Sequence, residues 1–154
     1  MSDKILGFIG AGNMAGAIIN GIVGTKTFPA KRIFVYDINK DKCEALEQKT
    51  GIQVISSIEQ LTEKCDIIFL AVKPQNFAEV LASVKPAVDE KTLFVSIAAG
   101  ISTKYIIGHQ NNAQYAAFDR KGRYSTEPDR KRGGRGFSAG CVFIWRLRDG
   151  DCSG

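Results

Sequence analysis

The first hundred residues of the chain predict an α/β fold in which helices cover both faces of a parallel sheet. Two features of the sequence carry this prediction. Five short segments rich in apolar and β-branched residues alternate with stretches of helical periodicity, the pattern of right-handed β–α–β crossovers. The first segment is a continuous apolar run, typical of a strand that is buried on both faces. The predicted strands are residues 5–10, 32–37, 52–55, 66–72 and 92–97.

Two of the intervening helices are predicted from the spacing of their apolar residues. The helix after the first strand is expected over residues 13–23, with one side facing the sheet. The residues on that side are Met14, Ala17, Ile18 and Ile22. The helix after the fourth strand carries apolar residues at i, i+3, i+4 and i+7, which predicts one buried face. They are Phe77, Val80, Leu81 and Val84.

Two further helices are predicted from residues that commonly cap helix ends. Asn39 is the expected N-cap of the helix after the second strand, and Gly51 is its expected end. Cys43 and Leu46 should then face inward. Ser57 is the expected N-cap of a brief helix before the fourth strand.

The net charge and the cysteines exclude several classes of protein. The chain has 154 residues, a length that suits one domain, with 21 Lys and Arg against 16 Asp and Glu. Residues 1–102 hold 11 of each sign, so the excess of +5 lies in residues 103–154 and does not indicate a nucleic-acid-binding domain. The four cysteines form no CxxC pair, so we expect reduced thiols, a cytoplasmic protein and no metal site. No apolar run reaches the roughly 18 residues of a membrane span.

Residues 108–154 differ from the rest of the chain. They contain 8 of the 16 glycines and show no sustained period of 2 or 3.6 residues. We expect an irregular basic tail without a packed fold, in which residues 137–145 could form one strand. The predicted organisation is therefore an α/β domain over residues 1–107 and an irregular Arg/Gly-rich tail over residues 108–154.

A glycine-rich turn follows the first predicted strand and opens the first predicted helix. Its pattern is Gly10-x-Gly12-x-x-Ala15, followed by Gly16. In this context the pattern is typical of a Rossmann-type dinucleotide-binding domain. Gly10 permits the tight turn, Gly12 lets a pyrophosphate approach the backbone, and Ala15 with Gly16 allows the helix to pack closely on the strand. The helix N-terminus would supply free N–H groups to the phosphates. The alternative is a glycine turn that binds no ligand.

Asp37 ends the second predicted strand and bears on the choice of cofactor. A carboxylate at this position accepts hydrogen bonds from the adenosine ribose of NAD, which favours NAD slightly over NADP. Asn39 and Lys40 could instead receive the 2′-phosphate of NADP. A solvated carboxylate without a ligand is the other interpretation of Asp37.

The carboxyl ends of the fourth and fifth predicted strands should line the same crevice. Small residues there would let a nicotinamide ribose lie against the backbone. The two segments are residues 71–75 and 98–100. On spacing alone, Lys73 is an exposed loop lysine.

Three segments resemble the N-terminal domain of pyrroline-5-carboxylate reductases. They are GFIGAGNMAGAI, DIIFLAVKPQ and LFVSIAAGIS, at residues 7–18, 66–75 and 93–102. The resemblance covers about residues 4–106 and is most specific in AVKPQ and SIAAGI. Other NAD(P)-dependent reductases of the same fold, the β-hydroxyacid dehydrogenases and F420-linked reductases, are less similar in these later motifs.

The resemblance implies an activity and a set of cofactor contacts. Pyrroline-5-carboxylate reductases make proline by passing hydride from NAD(P)H to a cyclic imine. Carried over position by position, their dinucleotide contacts fall on residues near the ends of the predicted strands. These are Ile9, Gly10, Ala11, Gly12, Asn13, Met14, Asp37, Asn39, Ala71, Val72, Lys73, Pro74, Ala98 and Gly100. No residue is assigned a catalytic role.

The resemblance ends near residue 107. The family continues with an Arg-x-Met-Pro-Asn-Thr-Pro segment and a helical domain that dimerises and holds the imine, and neither is present in this sequence. We therefore expect the chain to bind nucleotide without reducing the imine. In shifted frames, codons compatible with residues 112–126 and 147–154 permit family-like segments. The tail is then interpreted as partly out of frame, which re-sequencing of the gene would test.

A second interpretation treats the tail as an evolved segment. Residues 130–136 resemble an RGG-type basic arm that binds RNA without sequence preference. The chain would then be a non-catalytic nucleotide-binding or RNA-binding module. The abrupt change of composition favours a short Arg/Gly run without function over this alternative.

Overall fold

The computed structural model describes residues 3–87 and 92–97, together with the backbone of residues 113–118, 124–125 and 142–147. Within these ranges the chain forms four α-helices and one sheet. The helices are α1 (Asn13–Gly24), α2 (Lys40–Thr50), α3 (Ile58–Lys64) and α4 (Phe77–Val84). The strands of the α/β unit are β1 (Leu6–Ile9), β2 (Ile33–Tyr36), β3 (Gln53–Val54), β4 (Ile67–Leu70) and β5 (Leu93–Ser96).

These five strands form a parallel sheet in the order β3-β2-β1-β4-β5, which confirms the predicted Rossmann-type fold. β1 lies at the centre, where Leu6 pairs with Ile33 of β2 on one side and with Ile67 of β4 on the other. The chain first builds outward from β1 through β2 to β3, and then crosses back to β4 and β5. This reversal places a crevice at the carboxyl end of β1, where open α/β sheets bind their ligands.

The core lies in two layers, one on each face of the sheet. Successive residues of a strand point to opposite faces, so Phe8 packs in the layer with Ile19 of α1, whereas Ile9 packs in the layer with Phe77 of α4. All four apolar residues predicted for the inner face of α4 are buried, which confirms that face. Gly7 allows α3 to approach, because a Cβ there would lie 2.7 Å from the Cδ2 atom of Leu61.

The predicted helix caps are present. The Asn39 side chain accepts a hydrogen bond from the backbone N–H of Lys42 at 3.4 Å, and the Ser57 hydroxyl accepts one from Gln60 N–H at 3.2 Å. Gly51 ends α2 in the left-handed region, with φ of +74°. Cys43 is buried in α2, as predicted.

The predicted inner face of α1 is wrong by about one position. Met14 is 59% exposed and Ala17 is exposed, whereas Ala15 and Ile19 are fully buried. Ile18 and Ile22 flank the buried pair, and because α1 is apolar on most sides its sequence period does not define a single face.

Three strands from the tail extend the sheet beyond β5, so the expectation of an irregular tail is wrong for these segments. They are β6 (Ala113–Phe118), β7 (Tyr124–Ser125) and β8 (Val142–Leu147), and all pair antiparallel in the order β5-β8-β6-β7. β8 overlaps the strand considered over residues 137–145 at residues 142–145. The backbone N–H and C=O groups along the edge of β5 pair with β8, and such pairing does not depend on the side-chain period of the added segment. Within the described residues, no helix has the length and apolar character needed to cross a membrane.

Candidate functional site

The turn between β1 and α1 lies at the carboxyl end of the central strand, where the sheet reverses direction. The backbone on either side of the turn is tied to both neighbouring strands. Ile9 C=O accepts a hydrogen bond from Ala71 N–H at 2.8 Å, and Gly10 N–H donates one to Tyr36 C=O at 2.7 Å. The start of the turn is therefore held in place from β2 and from the residue that follows β4.

Gly10 is required by the fold itself. Its φ of +108° is a conformation that residues with a side chain rarely adopt. A Cβ at Gly10 would lie 2.6 Å from the carbonyl oxygen of Ala71. The turn can pass this close to the end of β4 only because Gly10 has no side chain.

Gly12 differs from Gly10, because nothing in the described protein requires a glycine there. Its φ of −76° and ψ of −175° are extended values that any residue adopts. A Cβ at Gly12 would meet no described atom within 4 Å. The space in front of Gly12 is open, as expected if its side is kept clear for a ligand that approaches the backbone.

The N-terminus of α1 begins at this open position. Gly12 is the N-cap residue of α1 and makes no side-chain cap hydrogen bond, and the first turn of α1 contains no acidic residue. The first N–H groups of a helix have no partner within the helix, and they carry a partial positive charge. Asn13 and Met14 are both exposed beside them. Gly12 and the first turn of α1 can thus accept an anionic group such as a phosphate.

Asp37 directly follows β2, and its carboxylate contacts the glycine turn. One carboxylate oxygen, Oδ2, accepts a hydrogen bond from Ala11 N–H at 2.7 Å. The other, Oδ1, accepts one from Asn39 N–H at 2.8 Å. The structure therefore differs from the interpretation of Asp37 as a simply solvated carboxylate. The Asn39 side chain is exposed and caps α2.

Two features of the site were not predicted from the sequence. Ile38 is 80% exposed next to Asp37, and its only sequence signal is an apolar residue directly beyond a predicted strand end. Gly16, predicted to help α1 pack on the strand, faces α2 instead: a Cβ there would lie 3.5 Å from Leu46 Cδ2, an ordinary contact. Ala15 is fully buried, in the core layer that contains Phe8.

The segment after β4 lies beside Gly10. Ala71 and Val72 are half-buried, whereas Lys73 and Pro74 are exposed. Lys73 C=O accepts a hydrogen bond from Asn76 N–H at 3.0 Å, which closes a short 3₁₀ turn before α4. Ala98 and Gly100, the predicted site residues after β5, lie outside the described residues, as does the basic run at residues 130–136.

The described thiols are not suited to nucleophilic chemistry. Burial, together with the nearby Asp66 carboxylate, raises the pKa of the Cys65 thiol to about 12. Burial and the charge of Asp37 also raise the pKa of Cys43. A thiol that stays protonated at neutral pH is a weak nucleophile. Within the described ranges, no group of three or more His, Cys, Asp or Glu residues could hold a metal ion.

The parallel sheet and the glycine turn at its reversal point define a Rossmann-type domain of the NAD(P)-binding class. The family model described as "NADP oxidoreductase coenzyme F420-dependent" matches residues 5–100. The chain belongs to this family of oxidoreductases.

The relatives named pyrroline-5-carboxylate reductase are similar over the same region. The enzyme of Escherichia coli K12 is 36% identical over 110 residues, which are 70% of this chain and 41% of that protein. Among solved structures, the Coxiella burnetii enzyme has a TM-score of 0.65 and 30% identity, covering 70% of this chain and 40% of its own. The Plasmodium falciparum enzyme, solved with NADP bound, has a TM-score of 0.61 and 31% identity. The match covers 71% of this chain and 38% of that enzyme's chain. The chain thus spans about two fifths of the length of these relatives, and the predicted resemblance is confirmed.

Proposed function

We propose that the chain is the N-terminal, dinucleotide-binding part of a pyrroline-5-carboxylate reductase. In this proposal the whole protein reduces 1-pyrroline-5-carboxylate to L-proline with NAD(P)H. The observation that carries it is the open space at Gly12, the N-cap residue of α1, which makes no side-chain cap hydrogen bond. The similarity to the named reductases supports the choice of substrate.

The cofactor would bind along the carboxyl edge of the sheet. Gly12 and the first turn of α1 would hold the pyrophosphate through backbone N–H groups. Asp37 would accept a hydrogen bond from the adenosine ribose, since each carboxylate oxygen keeps a free lone pair beside its present partner. Ile38 is the exposed apolar side chain available to the adenine ring.

The nicotinamide end would lie against the segment after β4. Ala71 and Val72 provide small, half-buried residues next to the turn, and Lys73 and Pro74 are exposed beyond them. Ala98 and Gly100 are proposed to complete this side. The nicotinamide would supply the hydride. These residues would bind and orient the nicotinamide ring and keep one face of the ring against the protein.

We infer a preference for NADH over NADPH from the charge of Asp37. A 2′-phosphate would be repelled by this carboxylate, whereas a 2′-hydroxyl can donate to it. Asn39 caps α2 through its side-chain oxygen, so its NH₂ group and the exposed Lys40 are the donors that would favour NADPH instead. The structure of the Plasmodium falciparum relative with NADP bound supports the opposite choice, so both nucleotides belong in the test.

The test has a binding step and a catalytic step. Titration of the purified chain with NADH and NADPH, followed by nucleotide fluorescence, should give saturable binding with the smaller Kd for NADH. The whole protein that contains this chain should then oxidise NAD(P)H when 1-pyrroline-5-carboxylate is added. Failure of both nucleotides to bind would refute the proposed site, whereas binding without oxidation would refute the proposed substrate.

The family description supports a second candidate, in which the protein exchanges hydride between NADP and coenzyme F420. The same assay distinguishes the two candidates when oxidised F420 replaces the imine. Oxidation of NADPH by F420, with no reaction of the imine, would favour the second candidate.

A further inference from the structure

Asp37 connects the two turns that form the proposed adenosine and pyrophosphate sites. Its Oδ2 atom accepts from Ala11 N–H at 2.7 Å, and its Oδ1 atom accepts from Asn39 N–H at 2.8 Å. Ala11 lies in the turn after β1, and Asn39 lies in the turn after β2. A single carboxylate therefore connects these two turns, through a hydrogen bond between residues that are 26 positions apart in the sequence.

The contact with Ala11 is made immediately before the open position of the glycine turn. Gly10 N–H is bonded to Tyr36 C=O, so the backbone pairing between β1 and β2 extends to Gly10. The next N–H, that of Ala11, is held by the Asp37 side chain instead of the backbone. Gly12 follows, with open space at its Cβ position. The Asp37 carboxylate is thus the last described hydrogen-bond partner of the turn before α1 begins.

We propose that Asp37 is a positioning residue for the glycine turn, and that its loss weakens the binding of NADH and NADPH alike. This inference rests on the proposed function, and it extends the role of Asp37 beyond the recognition of the ribose. The physical reason is that Ala11 and Gly12 belong to one backbone segment. When Ala11 N–H loses its partner, the peptide that precedes the pyrophosphate site is free to rotate away from the geometry that binds phosphate.

The two possible roles of Asp37 predict opposite effects on NADPH. If Asp37 only recognised the ribose, removal of its charge would weaken the binding of NADH. The binding of NADPH would stay unchanged or become tighter, because the repulsion of the 2′-phosphate is lost. If Asp37 positions the turn, the loss of that contact outweighs the relief of the repulsion, and the binding of NADPH weakens as well. The sign of the change in NADPH affinity therefore decides between the two roles.

Asp37→Asn is the variant for this test, because it keeps the size of the side chain. Its amide offers one neutral acceptor oxygen where two charged oxygens accept from Ala11 N–H and Asn39 N–H, so at least one contact is lost and the other is weakened. Asp66→Asn is the matched control. The Asp66 Oδ2 atom accepts from Ile5 N–H at 2.8 Å, just before β1, so this carboxylate makes the same kind of contact at the other end of the strand.

The experiment measures Kd for NADH and for NADPH in the three proteins under conditions where each is folded. We expect Asp37→Asn to weaken both nucleotides by about tenfold or more, the loss of about one charged hydrogen bond, and Asp66→Asn to change neither by more than about twofold. NADPH affinity that stays the same or rises in Asp37→Asn would overturn the proposal. Should Asp37→Asn not fold, Asp37→Glu keeps the charge but displaces both acceptor oxygens, and exchange at Ala11 N–H then decides between the two roles.

Amide hydrogen exchange of the nucleotide-free protein gives a second readout. Ala11 N–H should exchange faster in Asp37→Asn than in the unmodified chain, and it should be unchanged in Asp66→Asn. Equal exchange at Ala11 in all three proteins would refute the positioning role. Absence of nucleotide binding by the unmodified chain would instead refute the proposed function, and exchange at Ala11 would still decide whether Asp37 holds the turn.

Discussion

Substitution of Gly12 by valine should remove tight nucleotide binding and leave the fold intact. The backbone at Gly12 is extended, and a Cβ there meets no described atom within 4 Å. Replacement of glycine at a compatible position stabilises a protein by about 0.4–1 kcal/mol through the unfolded state, whereas valine is a poorer N-cap than glycine by a similar amount. These two effects oppose each other, so the free energy of unfolding should change by less than about 1 kcal/mol.

The effect on binding follows from the distance at which a phosphate must approach. A valine side chain at Gly12 occupies the open space in front of the first turn of α1, and it keeps the pyrophosphate beyond hydrogen-bond distance of the backbone N–H groups. Loss of one hydrogen bond to a charged group costs about 1.5–3 kcal/mol. The Kd for NADH should therefore rise by about 10- to 150-fold. Isothermal titration of the folded variant measures this change.

Gly21→Ala provides the control for the Gly12 variant. Gly21 lies in the same helix, and a Cβ there also meets no described atom within 4 Å. Alanine in the interior of a helix is more stable than glycine by about 0.5–1 kcal/mol, so this variant should unfold at a higher urea concentration. Its nucleotide affinity should be unchanged. A folded Gly12→Val protein that binds NADH as tightly as Gly21→Ala would refute the assignment of the turn as the pyrophosphate site.

Two further predictions concern stability. Gly10→Ala should lower the free energy of unfolding by about 3 kcal/mol or more, because φ is +108° and the new Cβ lies 2.6 Å from Ala71 C=O; urea unfolding that shows a loss below about 1 kcal/mol would contradict the close approach. The hydrogen bond from Lys4 lowers the pKa of Asp66, so this carboxylate should stabilise the fold above about pH 4 and lose its effect as the pH falls through the lowered pKa. Asp66→Asn should therefore be less stable than the unmodified chain at pH 7 and converge with it below that pKa, whereas a constant difference across the pH range would contradict the assignment.

The elements that the sequence predicts well are those determined by neighbouring residues. The caps at Asn39 and Ser57 depend on a side chain and a backbone N–H three residues away, and both are present. The inner face of α4 is predicted because its apolar residues occupy only one side. The glycine turn is predicted because its position between an apolar strand and a helix is visible in the sequence.

The sequence predicts different roles for the two glycines of the turn, but it does not show which contact requires the first. In the structure the nearby Ala71 carbonyl requires Gly10, whereas Gly12 has open space. The difference depends on where β4 ends relative to β1, which is a property of the assembled sheet. For the same reason the prediction of the inner face of α1 was wrong. An apolar helix has several possible inner faces, and contact with the sheet selects the one that carries Ala15 and Ile19.

By itself, the sequence determined the alternation of strands and helices, the glycine turn and the resemblance to a family of reductases, because these are encoded in local composition and spacing. Only the tertiary structure brought Asp37 to Ala11 and added strands from the tail to the edge of β5. Both depend on backbone groups, and every residue type except proline carries the same N–H and C=O groups. Which of them meet is decided by the three-dimensional path of the chain, because no side-chain pattern in the sequence records it.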